Sequence, residues 1–464
     1  MLIGFSVQNF KSFKEPQKIS FLASESVLHK DHLLPVKNRR ILRSAVIFGA
    51  NASGKTNLIQ AIDFSSRIIL HGLTEVNLIN AHFRIEDGYY NKPGVFEYRI
   101  ILNETEYSYG IVISYAEKCI LSEWLLRMNN GKEEYIFNRN LIEGHSRVET
   151  DIYKENFAND AVFDYKRLRI YLEDFGKNIS KQLKQKTILS DLAVRSNRDN
   201  GLFKEIVDIY NFFNEILVIF PHTRYGGLDT IVADEERNMR FSELFNKFDT
   251  GIESIERKRQ SFEFENQFAD APKEVIEEMK VNISNNIDTD IPLLVNYNDK
   301  MILLRKDEKG NIVYDKMLLN HGNEKELFEF EDESDGTKRL FDIAPLLLFN
   351  KKKTIFIDEI DRSMHTLLIR KFFEAFFFRM AKTGSYSQLV ATTHDATCLD
   401  LDLFRQDEIW LVDRKVDHSS SVYSLNKFKE VAGKNISKEY LLGRYGAVPV
   451  FRDVLATLED TSDE

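Results

Sequence analysis

Apolar positions change their spacing twice between residues 44 and 70. Ser44 to Phe48 forms a short apolar run, which is typical of a buried strand. The segment 49–56 that follows contains two glycines and no large apolar residue. Apolar residues then return at helical spacing, at Leu58, Ile59, Ala61, Ile62, Ile69 and Leu70. The pattern predicts a strand, a glycine-containing loop and a helix, in that order.

Apolar and polar residues alternate strongly between positions 91 and 140. Turn residues interrupt it at Asn103-Glu104 and at Gly131. The apolar positions include Phe96, Tyr98, Ile100, Tyr107, Tyr109, Ile111 and Ile113. This is the pattern of an antiparallel meander with one buried face. Shorter runs at 5–10 and 19–22 predict two further strands before it.

The segment from 150 to 290 is charged, and its apolar positions favour helices. One helical face would hold Phe203, Ile206, Val207, Tyr210 and Leu217. Lys177, Lys181 and Lys184 would form a basic face, which is usually solvated but is also a candidate contact for nucleic acid or a partner. Strands return from 292. We expect an α/β protein divided into residues 1–149, an inserted helical arm at 150–291, and residues 292–464.

Composition limits the class of protein. A chain of 464 residues, 43% hydrophobic and 29% charged, is ordinary for a globular protein of roughly two to four domains. Cys119 and Cys398 lie far apart, so neither a disulfide framework nor a cysteine zinc site is indicated. We see no secretion signal and no apolar run long enough for a bilayer, and we expect a cytoplasmic protein. The net charge of −10 argues against a wholly basic nucleic-acid coat.

Residues 49–56, GANASGKT, match the phosphate-binding pattern G-x-x-x-x-G-K-[ST]. Glycine allows backbone N–H groups to approach an anion, and the following helix directs the positive end of its dipole to the same point. Lys55 is expected to contact the β- and γ-phosphates. Thr56 is expected to bind Mg²⁺ through its hydroxyl.

A second group of polar residues follows two other short apolar runs. Thr354 to Ile357 predicts a buried strand that ends at Asp358 and Glu359. In P-loop NTPases a strand-terminal aspartate belongs to the Mg²⁺ shell, and Glu359 stands where a general base would orient the attacking water. Residues 388–393 predict another strand, and His394 at its end is a candidate contact of the γ-phosphate. A large insertion must separate these residues from the loop at 49–56.

The segment Glu333 to Lys338 contains Ser334 and Gly336 and precedes an apolar helical pattern. Ser334 is predicted to cap that helix and to direct its N–H groups at an anion. An isolated S-D-G is an ordinary helix cap. Its position shortly before the strand that ends in two carboxylates favours a functional role.

These segments, in this order, resemble the ABC-type ATPases of the SMC/RecF group. They look closest to the prokaryotic AAA branch of RloA/AbiL-like proteins and, more broadly, to the ATPase half of OLD nucleases. The resemblance is carried by NFKSF (9–13), GANASGKTN (49–57), ESDGTKRL (333–340), TIFIDEID (354–361), TTHD (392–395) and YLLGRYGAVP (440–449). It covers both ends of the chain and leaves 150–290 unmatched.

The resemblance implies ATP and Mg²⁺ as cofactors and a head-to-head homodimer or higher homo-oligomer. It implies catalytic roles for Glu359, His394 and Lys55, and metal contacts for Thr56 and Asp358. The nucleotide contacts that it implies are Gly49, Asn51, Ser53, Gly54, Lys55, Thr56 and Asn57, together with Ser334 and Gly336 of a second protomer.

Two departures from the pattern of these ATPases are visible. Asp335 stands where many ABC ATPases have glycine, and a carboxylate near a γ-phosphate is unfavourable unless it points away. The glutamine that usually links the β-lobe to Mg²⁺ has no evident counterpart between 71 and 90.

Several other motif matches are best explained by chance. N-K-x-D at 246–249 and D-x-x-G at 307–310 occur in the order opposite to that of GTPases. The D-x-D matches at 288–290 and 400–402 lack the surrounding domain that a TOPRIM nuclease requires. We therefore expect that this chain does not cut nucleic acid itself.

The leading hypothesis is a cytoplasmic ABC-class ATPase that regulates a separate effector protein in antiviral defence, with ATP closing a dimer and hydrolysis reopening it. One alternative is a DNA repair or recombination ATPase of the SMC/RecF kind. Another is a nucleotide-dependent scaffold that does not hydrolyse ATP. Nucleic acid remains open as a partner, and no membrane is expected.

Overall fold

The computed structural model groups the chain into two compact units. The first comprises Met1–Val218, Lys351–Glu359 and Gly384–Glu464, and the second comprises Ile219–Asn350 and Ile360–Thr383. Within these units the structure describes residues 1–26, 28–36, 39–129, 131–152, 162–177, 181–195, 201–223, 234–268, 271–287, 293–297, 300–307, 309–323, 325–348, 353–428 and 435–449.

Both units contain strands and helices. The strands are β1 (Leu2–Gln8), β2 (Gln17–Ser20), β3 (Leu33–Val36), β4 (Arg39–Leu42), β5 (Ser44–Phe48), β6 (Gly94–Leu102), β7 (Thr105–Ser114), β8 (Cys119–Asn129), β9 (Lys132–Ile142), β10 (His145–Glu149), β11 (Ile216–Ile219), β12 (Ser254–Ser261), β13 (Leu293–Tyr297), β14 (Lys300–Lys306), β15 (Ile312–Asn320), β16 (Phe328–Glu329), β17 (Thr354–Ile357), β18 (Gln388–Thr392), β19 (Ile409–Arg414) and β20 (Ser420–Ser424). The α-helices are α1 (Lys55–His71), α2 (Val162–Lys177), α3 (Lys181–Gln185), α4 (Ile188–Arg195), α5 (Gly201–Asn214), α6 (Glu235–Lys247), α7 (Phe264–Gln267), α8 (Lys273–Asn286), α9 (Asp335–Ile343), α10 (Thr366–Thr383) and α11 (Ile436–Leu441).

A six-stranded mixed sheet has the order β11-β17-β18-β5-β19-β20. The pairs β17·β18, β18·β5 and β5·β19 are parallel, and β20 pairs with β19 antiparallel. Every residue of β5, β17 and β18 is buried. Continuous burial is what a parallel strand covered on both faces requires, and it explains why these strands are short apolar runs without alternation.

A seven-stranded antiparallel sheet has the order β10-β9-β8-β7-β6-β1-β2. It confirms the predicted meander and extends it by β10 at one end and by β1 and β2 at the other. Helix α1 packs on this sheet. The hydroxyl of Ser65, from α1, and that of Tyr98, from β6, form a buried hydrogen bond of 2.6 Å. The rings of Tyr98 and Phe213, from β6 and α5, meet edge to face at 5.0 Å. The expected α/β class, a mixed sheet beside an antiparallel one, is therefore present.

A buried carboxylate attaches the helices that follow the meander to the same sheet. Glu123 accepts hydrogen bonds from the Tyr109 hydroxyl (2.9 Å) and from the backbone N–H groups of Ile188 (2.7 Å) and Leu189 (3.1 Å). The Arg139 guanidinium lies 3.6 Å away, and both charged side chains are fully buried. Glu123 thereby holds the first turn of α4 against β8, so α4 belongs to the first unit rather than to a separate arm.

The segment 150–291, whose apolar spacing favours helices, also contains β11 and β12. The four-residue run ILVI of β11 is too short for its spacing to distinguish a strand from a helix. β12 has the sequence SIERKRQS and no apolar alternation, and it pairs with all eight opposing positions of β15. Neither the 149/150 nor the 291/292 boundary coincides with a boundary between the two units.

The second unit contains a sheet of order β12-β15-β14-β13. One face of this sheet packs against α7 and α8, in a cluster formed by Phe262, Phe268, Ile276, Ile283, Ile287, Ile302, Leu304 and Tyr314. Asn246 and Lys247 of the N-K-x-D match lie in α6, near its end, which agrees with the interpretation of that match as chance. The D-x-D match at 288–290 lies outside the described residues.

Two further features concern the surface. Lys177 is the last residue of α2 and Lys181 the first of α3, so the three spaced lysines do not lie on one described helix. None of the helices in the described part of the chain is long and apolar enough to cross a membrane.

Candidate functional site

The loop at 49–56 connects the end of β5 to the start of α1, as the sequence predicts. Gly54 has a φ angle of +111°, and a Cβ there would lie 2.3 Å from the Ser420 Oγ and 2.7 Å from the Ser12 Oγ. A Cβ at Gly49 would lie 2.3 Å from the carbonyl oxygen of Val412. Both positions therefore require glycine. At Gly49 a side chain has no space, and at Gly54 both the space and the left-handed backbone conformation exclude one.

Lys55 lies in the first turn of α1 and is only 5% exposed. Its ammonium donates hydrogen bonds to the carbonyl oxygens of Gly49 (2.6 Å) and Ala50 (3.1 Å). The Nδ1 atom of His394 lies 3.1 Å from the same nitrogen. The lysine charge is thus held inside the curve of the loop, next to a residue that follows β18.

Asp358 follows β17 and is 1% exposed. Its Oδ1 atom accepts hydrogen bonds from the hydroxyls of Thr392 (2.6 Å) and Thr56 (3.3 Å). The loop and the carboxyl ends of β17 and β18 consequently meet at one point. A hydroxyl and a carboxylate at this point supply the hard oxygen ligands that Mg²⁺ prefers.

Glu359 has a left-handed backbone with φ of 48°, and its N–H donates to the Thr392 hydroxyl at 2.8 Å. Its Oε1 atom lies 3.8 Å from the Nε2 of His394. The two side chains are 35% and 38% exposed, so they face solvent-accessible space while Asp358 beside them is buried. A strained non-glycine residue held in place by a buried hydroxyl is a common feature of functional sites.

The remaining predicted loop residues also lie here. The Asn57 amide donates to the Ser12 hydroxyl at 2.8 Å. Ser53 is 2% exposed, and among the described residues its hydroxyl has no hydrogen-bond partner. Asn51 is exposed at the turn of the loop. An unsatisfied buried hydroxyl beside a loop that excludes Cβ atoms fits the bonding needs of a phosphate group.

Three residues that contact the predicted site residues were not themselves predicted from the sequence. Thr392 bridges Asp358 and Glu359, and its only signal was its place in TTHD. Ser12 lies inside the NFKSF segment and contacts Asn57. Ser420 donates to the carbonyl oxygen of Ser53, and nothing in the sequence around it indicated a contact with the loop.

Ser334 and Gly336 belong to the second unit, whereas the loop at 49–56 belongs to the first. Ser334 caps α9, as predicted, because its hydroxyl accepts from the Thr337 N–H at 3.2 Å. A Cβ at Gly336 would lie 2.6 Å from the carbonyl oxygen of Ser363. Ser334 and Asp335 are exposed at the start of the helix.

A glycine loop between a buried strand and a helix, with a carboxylate at the end of another parallel strand of the same sheet, is the arrangement of a P-loop ATPase domain. Residues 44–400 match the family described as "AAA domain, putative AbiEii toxin, Type IV TA system", and the chain belongs to this family. The family match agrees with the resemblance to AAA-type ATPases in general. No curated protein matches the sequence.

Among solved structures, the chain is similar to two heads of SMC proteins. One is described as the "SmcHead bound to the C-winged helix domain of ScpA", with a TM-score of 0.40, 15% identity, and coverage of 91% of this chain and 97% of that chain. The other is the SMC head domain from Thermotoga maritima, with a TM-score of 0.37, 13% identity, and coverage of 91% and 98% respectively.

The steric requirement at Gly54 can be tested against a second glycine with a positive φ. Gly88 has φ of +86° and no atom within 4 Å of its ideal Cβ position. Both Gly54→Ala and Gly88→Ala should incur backbone strain. Gly54→Ala should lower the free energy of unfolding by about 1–3 kcal/mol more, because its Cβ overlaps two hydroxyls. Urea denaturation measures the difference, and equal stability of the two variants would contradict the geometry of the loop.

Proposed function

We propose that this chain binds ATP with Mg²⁺ at the 49–56 loop and hydrolyses it, and that the nucleotide state regulates a partner. The observation that supports this most strongly is the convergence of Lys55, Asp358, Glu359 and His394, from three separate parts of the sequence. Thr56 and Thr392 connect them by hydrogen bonds of 3.3 and 2.6 Å to Asp358.

Phosphate binding would use Lys55 and the backbone N–H groups of the loop. The ammonium now bonds to two neutral carbonyl oxygens, at 2.6 and 3.1 Å. An anionic phosphate oxygen attracts the ammonium by Coulomb interaction as well as by hydrogen bonding, so it competes well with a neutral carbonyl oxygen for the same cation. Gly49, Asn51, Ser53, Gly54, Thr56 and Asn57 would line the phosphates, with the buried Ser53 hydroxyl gaining a partner.

The metal position would be defined by Thr56 and Asp358. Mg²⁺ bound there would neutralise charge that develops on the phosphate oxygens. Thr392 acts as a positioning residue in this proposal, because its hydroxyl fixes the Oδ1 of Asp358 and the backbone of Glu359 together. The carboxylate is therefore oriented before any ligand arrives.

Glu359 is the proposed general base. Its carboxylate is partly exposed and lies 3.8 Å from His394, so water can reach it. It would accept a proton from the attacking water, whose oxygen would bond to the γ-phosphorus while the bond from that phosphorus to the β–γ bridging oxygen breaks and ADP leaves. His394 contacts both Lys55 and Glu359 in this structure and is placed to contact the γ-phosphate.

A second copy of the chain would complete the site through Ser334 and Gly336. The exposed, serine-capped start of α9 supports this, since N–H groups at a helix N-terminus attract anions. Asp335 is also exposed and would have to point away from the phosphate. The resulting assembly is a homodimer, or a higher oligomer, joined by ATP.

The biological output would be regulation of a separate effector protein in antiviral defence, in the cytoplasm. Two things support it: the motif resemblance to defence-associated ATPases, and a family description that names an AbiEii toxin and a type IV TA system. The assignment to RloA/AbiL-like proteins, rather than to repair ATPases of the SMC/RecF kind, rests on the motifs alone.

Two substitutions should separate nucleotide binding from hydrolysis. Lys55→Ala removes the buried cation of the loop and should abolish ATP binding. Glu359→Gln keeps the size of the side chain but loses the base, so ATP should still bind while turnover falls by about 10²- to 10⁴-fold. Binding of a fluorescent ATP analogue and phosphate release measure the two effects. Wild-type binding by Lys55→Ala, or wild-type turnover by Glu359→Gln, would contradict the proposed roles.

Mixing two inactive variants should test whether the site is shared between copies. In a mixed dimer of Lys55→Ala and Ser334→Arg, one site carries both changes and the other carries neither. Turnover should recover to about a quarter of the wild-type rate, because half of the dimers in a random mixture are mixed and each has one intact site.

The matched control mixes Lys55→Ala with Glu359→Gln. Both residues belong to the same unit of one chain, so each site of a mixed dimer keeps one lesion and turnover should stay low. Failure of the first mixture to recover, with mixed dimers demonstrated by differently tagged chains, would argue against shared sites.

A further inference from the structure

A group of potential metal ligands lies away from the ATP site, in the segment that precedes β3. His29, Asp31 and His32 each offer one ligand atom, and the three atoms lie within 4.8 Å of one another. The two imidazole rings are nearly parallel, with centroids 4.8 Å apart and an interplanar angle of 22°. His32 is buried, His29 is partly buried, and Asp31 is exposed.

Hydrogen bonds to residues distant in sequence orient both imidazoles. The Nε2 of His29 lies 2.7 Å from the carbonyl oxygen of Leu401, which can only accept, so this nitrogen carries the proton. The Nδ1 of His32 lies 2.8 Å from the Oε2 of Glu408. Glu408 also accepts hydrogen bonds from the Ser44 hydroxyl and from the backbone N–H of Arg405, both at 2.8 Å, so its position is fixed.

Because Nε2 of His29 and Nδ1 of His32 make these bonds, the candidate ligand atoms are the second ring nitrogens, Nδ1 of His29 and Nε2 of His32. A ligating histidine typically donates its second N–H to a carboxylate or a backbone carbonyl, which fixes the tautomer and strengthens the ligand. Both acceptor types are present, one for each ring.

The backbone supports the same interpretation. His29 has a left-handed conformation, φ 45° and ψ 61°, before the short 3₁₀ turn of residues 30–32. This conformation is strained for a residue with a Cβ and is often retained where a side chain must be aimed. The His32 N–H donates to the His29 carbonyl at 3.1 Å, and this bond closes the turn that brings the two rings together.

We propose that His29, Asp31 and His32 form a binding site for a divalent transition metal, with Zn²⁺ as the ion it suits best. Two imidazoles and one carboxylate match the ligands that Zn²⁺ takes, and a water molecule would fill the fourth position. Bonds of about 2.1 Å require ligand atoms within about 4 Å of each other, so the three ligand atoms, which now lie within 4.8 Å, would have to move slightly closer together around the ion.

Charges around the site are consistent with a bound cation. The Arg43 guanidinium donates hydrogen bonds to the main-chain oxygen of Asp31, at 3.1 Å, and to the main-chain oxygen of Ser385. Arg405 is paired with Asp407 at 2.9 Å. The Glu408 carboxylate contacts His32, and the Asp31 carboxylate belongs to the group itself.

His32 connects the proposed metal site to the turn at 406–408 through its hydrogen bond with Glu408. Glu408 links that turn to Ser44, the first residue of β5, whose other end carries the phosphate-binding loop. Metal binding should therefore raise the melting temperature of the full-length chain, since a ligand that binds only the folded state stabilises it.

The test uses full-length protein freed of metal with EDTA and assayed without nucleotide or Mg²⁺. Zn²⁺ affinity is measured by competition with a chromophoric chelator, and Co²⁺ serves as a spectroscopic probe of the ligand set. We expect one tight Zn²⁺ site. His29→Ala and Asp31→Asn should each weaken it by at least about 10-fold and should remove the rise in melting temperature.

Two controls distinguish this site from others. His418 is exposed and, like His29, has a left-handed backbone, so His418→Ala should leave Zn²⁺ affinity unchanged. His394→Ala changes the ATP site and should also leave it unchanged. Absence of Zn²⁺ binding by the wild type, wild-type affinity in both Asp31→Asn and His29→Ala, or loss of binding in His394→Ala would overturn the proposal.

Discussion

The alignment of the carboxyl ends of β5, β17 and β18 is the constraint on which the candidate site depends. These strands are parallel neighbours, with Val390 paired to Ala45 on one side and to Phe356 on the other. The residues that follow them must emerge at the same edge of the sheet. Thr392, the last residue of β18, then joins the segments by bonding to Asp358 and to the backbone of Glu359. A shift of one residue in this register would turn the Thr392 side chain to the other face of the sheet.

The antiparallel sheet supports this edge through α1. Phe64 of the helix packs against Phe10 at 5.0 Å and Phe96 at 5.6 Å, and Ser65 contacts Tyr98. The N-terminus of α1 carries Lys55 and Thr56, so these aromatic contacts help to fix where the loop ends. Asn9, from the NFKSF segment, adds hydrogen bonds to the backbone of Phe83, Tyr89 and Lys92. The motif segments at 9–13 and 49–57 are therefore parts of one packed assembly.

Much of this arrangement could be predicted from the sequence, because the strongest signals are local. The strand–loop–helix at 44–71, the meander and the strands that end at Asp358 and before His394 each follow from spacing and motif. β12 could not be predicted in this way, because its charged residues are held by pairing with β15 and by the ion pair of Arg259 with Asp315 at 3.2 Å. The role of Ser420 could not be predicted either, because its contact with Ser53 depends on how β19 and β20 lie beside β5. Such contacts are set by tertiary packing rather than by local propensity.

The most direct measurement of the central claim is an experimental structure of the Glu359→Gln chain with ATP and Mg²⁺. We expect Lys55 to leave the carbonyl oxygens of Gly49 and Ala50 and to contact the β- and γ-phosphates. Thr56 and Asp358 should lie on the metal side, directly or through water, with direct bonds of about 2.1 Å. A nucleotide bound elsewhere, or phosphates that contact neither Lys55 nor the loop, would contradict the assignment of this edge of the sheet as the ATP site.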